Sequence, residues 1–302
     1  MIVLDGVSKT YRSLLGRRVQ AVQEVSLGIA AGEVVGIAGP NGAGKSTLIS
    51  LLLGFVAPTA GRVRIGGLPP RDFVERHGIA YVPELMALPP SWTVQDALRR
   101  LATLSGVRAD RLRGEVDRVI DALAIGEHRD KRIKALSKGN YQRLGIAQAL
   151  LLDSPVVIFD EPTHGLDPVW TLKFRDLVRA LRRADRAIVI ASHNLDELER
   201  LADRVVIVDQ GRVQRVVTVR ASDASERTPY RVRVATGAAA MCAHLAGATI
   251  AANGDVDVPA VDLATLNAGL AAAIADGALV ASLAPRESQL ERAFHSAVTV
   301  AP

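Results

Sequence analysis

The stretch Gly39-Pro40-Asn41-Gly42-Ala43-Gly44-Lys45-Ser46-Thr47 fits the pattern G-x-x-x-x-G-K-[ST], in which a glycine-rich turn wraps its backbone amides around phosphate. Residues 33–38 ahead of it (Glu-Val-Val-Gly-Ile-Ala) read as a short buried strand, and residues 46–53 behind it read as the first turns of a helix. Strand, loop and helix in that order set the partial positive charge of a helix N-terminus behind the turned amides. Only an anion matches that geometry. On this chemistry Lys45 reaches the β- and γ-phosphates of a nucleotide and the Ser46 hydroxyl ligates Mg²⁺. The alternative is a glycine loop that merely turns a corner, and it leaves the flanking strand and helix without a reason.

A second constellation narrows the chemistry. Val156-Val157-Ile158-Phe159-Asp160-Glu161 is an unbroken apolar run ending in two carboxylates, as a strand buried on both faces reads. Ligands gather at the carboxyl ends of such strands. Asp160 is placed to hold Mg²⁺, directly or through water, and Glu161, one residue beyond the strand, to orient and deprotonate an attacking water. An ordinary acidic turn is the competing reading.

Leu136-Ser137-Lys138-Gly139-Asn140-Tyr141-Gln142-Arg143-Leu144 precedes that strand, and Ile188-Val189-Ile190-Ala191-Ser192-His193 follows it. With Tyr81-Val82-Pro83-Glu84 and Gly165-Leu166-Asp167, these segments stand in the order and at the spacings of the ATP-binding-cassette (ABC) ATPases, which residues 1 to about 215 resemble. By itself Ser137 caps the helix expected from Tyr141 to Leu152, and a strand-end histidine is a packing or capping residue. The resemblance implies more. It implies an α/β fold with a P-loop NTPase (RecA-like) core, an antiparallel β subdomain and an α-helical signature subdomain over residues 91–150. It also implies ATP and Mg²⁺ as cofactors, with the whole loop Gly39, Pro40, Asn41, Gly42, Ala43, Gly44, Lys45, Ser46 and Thr47 on the phosphates and Tyr11 stacked on adenine. Two domains are expected to pair head to tail, Ser137 and Gly139 of one closing on the γ-phosphate held by the other. His193 then contacts that phosphate and holds water against Glu161, and Asp167 touches the partner's active site.

Several positions depart from the family's pattern. Glu84 stands where most members carry glutamine, so the metal, held by Ser46, Asp160 and Glu84, has an extra negative charge beside it. Lys138 and Asn140 replace the commoner glycine and glutamine, and His164 and Gly165 the more usual serine and alanine. Glutamate at 84 and Ser-Lys-Gly in the signature resemble the exporter branch whose membrane partners are of the ABC-2 class. The apolar, proline-rich group Leu85, Met86, Leu88, Pro89, Pro90 and Trp92 is either buried packing or, as in the family, a groove for a short helix of a transmembrane permease subunit.

Composition agrees with this picture. The chain has 302 residues, 49% hydrophobic, enough for one domain near 200 residues and a smaller one. The single cysteine, Cys242, excludes an intramolecular disulfide framework. Residues 2–5 show no basic leader, and the most apolar stretch, 266–283, is interrupted by Asn267, Gly269, Asp276 and Gly277, so no membrane span is expected. A net charge of +5 hints at anionic partners, but acidic residues interleave the arginines and aromatics are only 4%. Direct nucleic-acid binding is therefore not expected. A cytoplasmic protein peripheral on the inner face of the membrane follows, forming a homodimer or a heterodimer. A soluble ABC ATPase acting on ribosomes or nucleic acid is the alternative.

The cassette is expected over 1–218 and a dimerisation or regulatory domain over 219–302, where lysine is absent. Strands are expected at 19–22, 25–29, 62–65, 230–234 and 278–283, and helices opening at Trp92, bearing Val116, Ile120 and Leu123, and covering 239–245 and 263–275. A linker is expected at 221–228. Arg286 to Phe294 begins a terminal helix resembling the Ser-Leu-Glu-x-x-Phe ending of many ABC-2 exporter ATPases.

Overall fold

The computed structural model describes residues 1–12, 18–219, 228–286 and 289–298. The alternating N-terminal sequence makes a small sheet: β1 (Ile2–Arg12) pairs antiparallel with β2 (Arg18–Ile29). The expected strands at 19–22 and 25–29 are one strand, because the chain bulges at Gln23 and Glu24 without leaving β1. Val22 pairs with Lys9 and Val25 with Val7, and Glu24 takes φ 49°. β3 (Val34–Ala38) follows, every residue buried, then α1 (Lys45–Leu52). β4 (Ala60–Ile65) returns to the other edge of β1, giving the order β2-β1-β4.

After α2 (Pro70–His77) and β5 (Ala80–Val82) the chain turns helical, as its apolar spacing requires. α3 (Val94–Leu104) starts with a capping box in which Thr93 and Asp96 satisfy each other's backbone amides. α4 (Leu112–Ala122) buries Val116, Val119 and Ile120, and α5 (Lys138–Ala149) is capped by Ser137. α5 begins three residues before the expected Tyr141 because that cap satisfies the Asn140 amide. The main sheet resumes with β6 (Val156–Asp160), followed by α6 (Pro168–Leu181), β7 (Ala187–Ser192), α7 (Leu195–Leu201), β8 (Arg204–Asp209) and β9 (Arg212–Thr218). Its order is β5-β6-β7-β3-β8-β9, parallel except for β9.

One apolar cluster joins the two sheets through α1. Leu48, Ile49, Leu51 and Leu52 pack with Ile2, Leu4 and Val7 of β1 and with Ile158, Val189 and Val206 of β6, β7 and β8. Each such side chain contributes about 1.5–3 kcal/mol on burial. The phosphate loop is therefore anchored at both ends in this apolar cluster.

Residues Met1–Thr218 form one compact unit and Val219–Ser296 another. The second runs β10 (Thr228–Thr236), α8 (Ala238–His244), β11 (Thr249–Ile250), β12 (Val256–Val261), α9 (Leu263–Ala275) and β13 (Leu279–Pro285). Strand order β11-β12-β10-β13, antiparallel throughout, makes this the β-α-β-β-α-β split motif. Tyr230, Val232, Val256 and Val258 of the sheet meet Met241, Leu266 and Ala273 of the two helices, and Leu245 just past the end of α8, in a separate core. The helices approach closely at Gly269, where a Cβ would strike Leu245. α10 (Gln289–Ala297) ends the described chain. Of the linker expected at 221–228, Thr228 instead begins β10, while residues 221–227, like Glu287 and Ser288 of the terminal motif, lie outside the described residues.

Candidate functional site

The loop after β3 is held in its turn by steric necessity. A Cβ at Gly39 would be driven into the Val208 carbonyl and one at Gly44 into the Ala21 carbonyl. Gly42 and Gly44 adopt φ 82° and 108°, which glycine alone takes freely. From this turn α1 begins at Lys45, so the first helical amides face the same space as the loop. Lys45 is 93% buried and lies back across the loop, donating from Nζ to the Gly39 carbonyl at 2.6 Å and to Pro40 at 3.3 Å.

A cavity of about 440 Å³ opens at the carboxyl ends of the parallel strands. It is lined by Pro40, Asn41, Gly42, Gly44, Lys45, Ser46 and Thr47 of the loop, and by Glu84, Asp160, Glu161 and His193 from three further segments. These expected site residues, scattered over 154 positions of sequence from Pro40 to His193, thus share one space. Gly39 and the buried Ala43 do not line it. Tyr11 does not line the cavity: it stands at the far end of β1, 40% exposed, with Lys9 Nζ 5.2 Å from its ring. Ser137, Gly139 and Asp167 do not line it either. In this chain Ser137 caps α5 through the Asn140 amide at 3.2 Å, and Asp167 caps α6 through the Trp170 amide at 2.8 Å.

Glu161 is the most constrained residue of the site. It follows the last residue of β6 at φ 47°, a conformation that costs a non-glycine residue free energy and persists only where its surroundings impose it. Its amide donates to the Ala191 carbonyl at 2.9 Å. Its carboxylate accepts from the His193 amide at 3.0 Å and from the Ser192 hydroxyl at 3.2 Å, and lies 2.8 Å from His193 Nδ1. In the tautomer that carries its proton on Nδ1, that proton points at the carboxylate. Ser192 was not singled out in the sequence. Its position next to the histidine was the only sign of its part.

Burial, together with the charges of Glu84 and Glu161, pushes the Asp160 carboxyl up to about 6, against the pull of Lys45. The same burial and the charges of Asp160 and Glu84 raise Tyr81 to about 12. The consequence for stability has a definite sign. A folded pKa of about 6 against an ordinary 3.8 means that the native protein, without metal or nucleotide, binds this proton more tightly than the unfolded chain does, so stability falls as pH rises from 4 through 6. Asp160→Asn removes the ionisable group. At pH 7.5 the metal-free variant should resist heat better than the parent by on the order of 2 kcal/mol, with the gap closing near pH 4. Parallel melting curves across that range would show otherwise if the parent is as stable at pH 7.5 as the variant.

The donors fit magnesium. Ser46, Asp160 and Glu84 present hard oxygens to one cavity, and among the described residues no cluster of three His, Cys, Asp or Glu forms a complete metal cage. Mg²⁺ is ordinarily bound by one or two carboxylates with phosphate oxygens and water supplying the rest.

Other contacts were invisible as motifs. His164 lines the cavity and lies 3.0 Å from Lys138 Nζ, so two departures from the family pattern touch each other. The Tyr141 hydroxyl donates to the Met86 carbonyl at 2.7 Å and accepts from the Leu88 amide at 3.1 Å. That ties the signature helix to the segment after Glu84. Arg143, one helical turn beyond Gly139, stacks 3.7 Å from the centre of the Trp170 ring while its guanidinium donates to the Leu123 carbonyl at 2.9 Å and to Asn140 Oδ1 at 2.7 Å. A second cavity of about 390 Å³, lined by Phe55, Tyr81, Met86, Leu88 and Leu152 among others, borders the apolar segment. Leu85 stands 84% exposed beside it.

Comparison with known proteins bears on this geometry. The family described as ABC transporter matches residues 22–164. A Nod factor export ATP-binding protein of Paraburkholderia xenovorans is 36% identical over 213 residues, covering 70% of this chain and 68% of that protein. The ABC transporter ATP-binding protein NatA of Bacillus subtilis is 31% identical over 217 residues, covering 70% and 87%. Against three of the curated relatives the chain spans 60% to 68% of their length. Among solved structures, an ATP-binding cassette captured as a dimer in a post-hydrolysis state with ADP and Pi superposes with TM-score 0.67 at 25% identity, over 73% of this chain and all of the other.

Proposed function

The chain belongs to the ABC transporter family as one of its ATP-binding proteins, and we propose that it binds ATP with Mg²⁺, hydrolyses it between paired copies and drives a separate transmembrane permease subunit in export. The observation that carries this reading is the single cavity in which the phosphate-loop amides, Asp160 and the Glu161–His193 pair meet. There the loop and Lys45 hold the phosphates, Asp160, Ser46 and Glu84 hold the metal, and Glu161 accepts the proton of an attacking water that His193 steadies. Bound Mg²⁺ supplies neutralisation of charge on the β- and γ-oxygens. Pairing supplies Ser137, Gly139 and Asp167 to the opposite site, and Tyr11 stacks on the base.

Export is favoured by what the similar proteins are. One is named for Nod factor export, and Glu84 and Ser137-Lys138-Gly139 carry the same resemblance. No helix among the described residues is long and apolar enough to cross a membrane, so a permease of another chain is the natural place for a pore. The cavity lined by Tyr81, Met86 and Leu88 is the surface where that permease docks, and the protein sits on the cytoplasmic face through it. The β-α-β-β-α-β unit, with its own core, adds contact between copies and raises their effective concentration.

Purification of the full chain from its own membranes in mild detergent tests the transport reading. A multi-spanning membrane protein should accompany it in fixed proportion, and its ATPase activity should need added Mg²⁺. A chain limited to residues 1–219, assayed alongside, should hydrolyse ATP with a steeper dependence on protein concentration. Recovery of the protein only with ribosomes or nucleic acid would sink the transport reading, and superimposable concentration curves would sink the tethering role.

A further inference from the structure

We infer that the helical subdomain carries a second anion site, one that takes the phosphate group of a soluble phosphorylated ligand. Between α3 and α4 lies a cavity of about 460 Å³ lined by Arg99, Arg113, Arg129, Gln95 and Asp117 over a floor that includes Val116. It is about as large as the nucleotide cavity and shares no residue with it.

The charge in this cavity is unbalanced. Three guanidiniums face one carboxylate, an excess of two positive charges. Asp117 is partly engaged: Oδ1, buried and without a hydrogen bond, lies 2.6 Å from Arg129 Nη1, and Oδ2 lies 3.8 Å from Arg113 Nε. Arg129 is further fixed by donating to Gln95 Oε1 at 3.4 Å. Among the described residues no ion pair within 4.0 Å involves Arg99, whose charge is felt at a distance by the Asp96 carboxylate. The Arg113 side chain is 97% exposed and only loosely held by Asp117. Arg129, largely buried and pinned, therefore lines the cavity together with the exposed Arg99 and Arg113.

Exposed arginines on a helix are ordinarily a solvated face. What differs here is their convergence on a concave space, where low-dielectric walls concentrate the field of like charges. The planar guanidinium fork matches two oxygens of one phosphate, and a phosphate dianion neutralises the excess of two charges, which a single carboxylate would not. The first turn of α4, which opens on this cavity at Leu112 and Arg113 and has no side-chain cap, adds to the positive potential. The arginines carry the assignment.

Inorganic pyrophosphate is the probe, and full-length Lys45→Ala protein keeps the phosphate loop from competing for it. Backbone amide resonances of Gln95, Ala109 and Val116 should shift saturably with pyrophosphate, while acetate at the same concentration leaves them in place. Adding Arg99→Gln and Arg113→Gln, both at exposed positions and so harmless to packing, should weaken binding at least about tenfold, since each change removes a charged donor to the phosphate. Absence of saturable shifts, or an unchanged affinity in the double arginine variant, overturns the site. A third arm sediments the protein with phosphatidylcholine vesicles with and without phosphatidylglycerol. Arginine-dependent capture by the anionic vesicles, with no response to pyrophosphate, assigns the cavity to a lipid headgroup and overturns the soluble ligand. The nucleotide site plays no part in this outcome, so the two readings fail independently.

Discussion

Glu161→Gln should bind ATP and yet turn it over about a hundredfold to ten-thousandfold more slowly than the parent chain, the usual contribution of a positioned general base. The substitution keeps the size of the side chain and one carbonyl acceptor, so the φ 47° conformation and the cavity persist. It removes the group that can take a proton from water. It also brings an amide NH₂ toward the Ser192 hydroxyl, the His193 amide and His193 Nδ1, which now surround carboxylate oxygens. Binding energy from the loop remains, and nucleotide-bound pairs should accumulate because the step that dissolves them is blocked. Single-turnover hydrolysis and size-exclusion chromatography with ATP measure both halves. A turnover within a few-fold of the parent would falsify the assignment of Glu161 as the base.

Lys45→Ala acts earlier. Its ammonium lies buried across the loop on the Gly39 and Pro40 carbonyls, poised to exchange those partners for phosphate oxygens. Loss of charge-assisted bonds worth about 1.5–3 kcal/mol each lowers ATP affinity at least tenfold. The stronger test uses two broken chains together. Ser137→Arg leaves the phosphate cavity intact, since Ser137 does not line it, but obstructs the signature surface. If sites are completed across a pair, a mixture of Lys45→Ala and Ser137→Arg chains contains pairs with one whole site and two ruined residues in the other. ATP-dependent pairing should then reappear in the mixture and be absent from each chain alone. Demonstrated subunit exchange without any recovery would rule out the head-to-tail arrangement.

The cassette was legible because its chemistry is local. A glycine loop between a strand and a helix, and a carboxylate pair at the end of an apolar run, announce themselves within ten residues each. The structure added what lies across sequence. No pattern relates Tyr141 to Met86, or Lys138 to His164, since both contacts come from side chains meeting where elements pack. The C-terminal unit was harder for another reason. β12 and β11 escaped notice although Asn253-Gly254 lies between them, a pair typical of tight hairpins. Alanine-rich surroundings blunt the contrast on which alternation depends, and Pro259 argues against a strand. The fold tolerates that proline because it falls at the shift in register between Thr228 and Tyr230, beyond the end of β11. The start of α5 lies three residues ahead of the apolar pattern, because helix ends depend on capping and Ser137 satisfies the Asn140 amide.

The stacking of Arg143 on Trp170 gives this chain a built-in optical gauge. The protein has two tryptophans; Arg100 lies 4.8 Å from the ring of Trp92, which belongs to the helical arm, and Arg143 3.7 Å from that of Trp170, which begins the helix capped by Asp167. Trp170 thus faces a charge carried by the signature helix across the boundary between arm and sheet. Lys173, on the same helix as Trp170, holds a constant second charge 4.6 Å from that ring, so a displacement of the signature helix would register at this indole through Arg143 alone and should shift its emission wavelength. A Trp92→Phe background isolates it. Any step that reseats the signature helix would then be visible in real time without a label, and could be timed by colour.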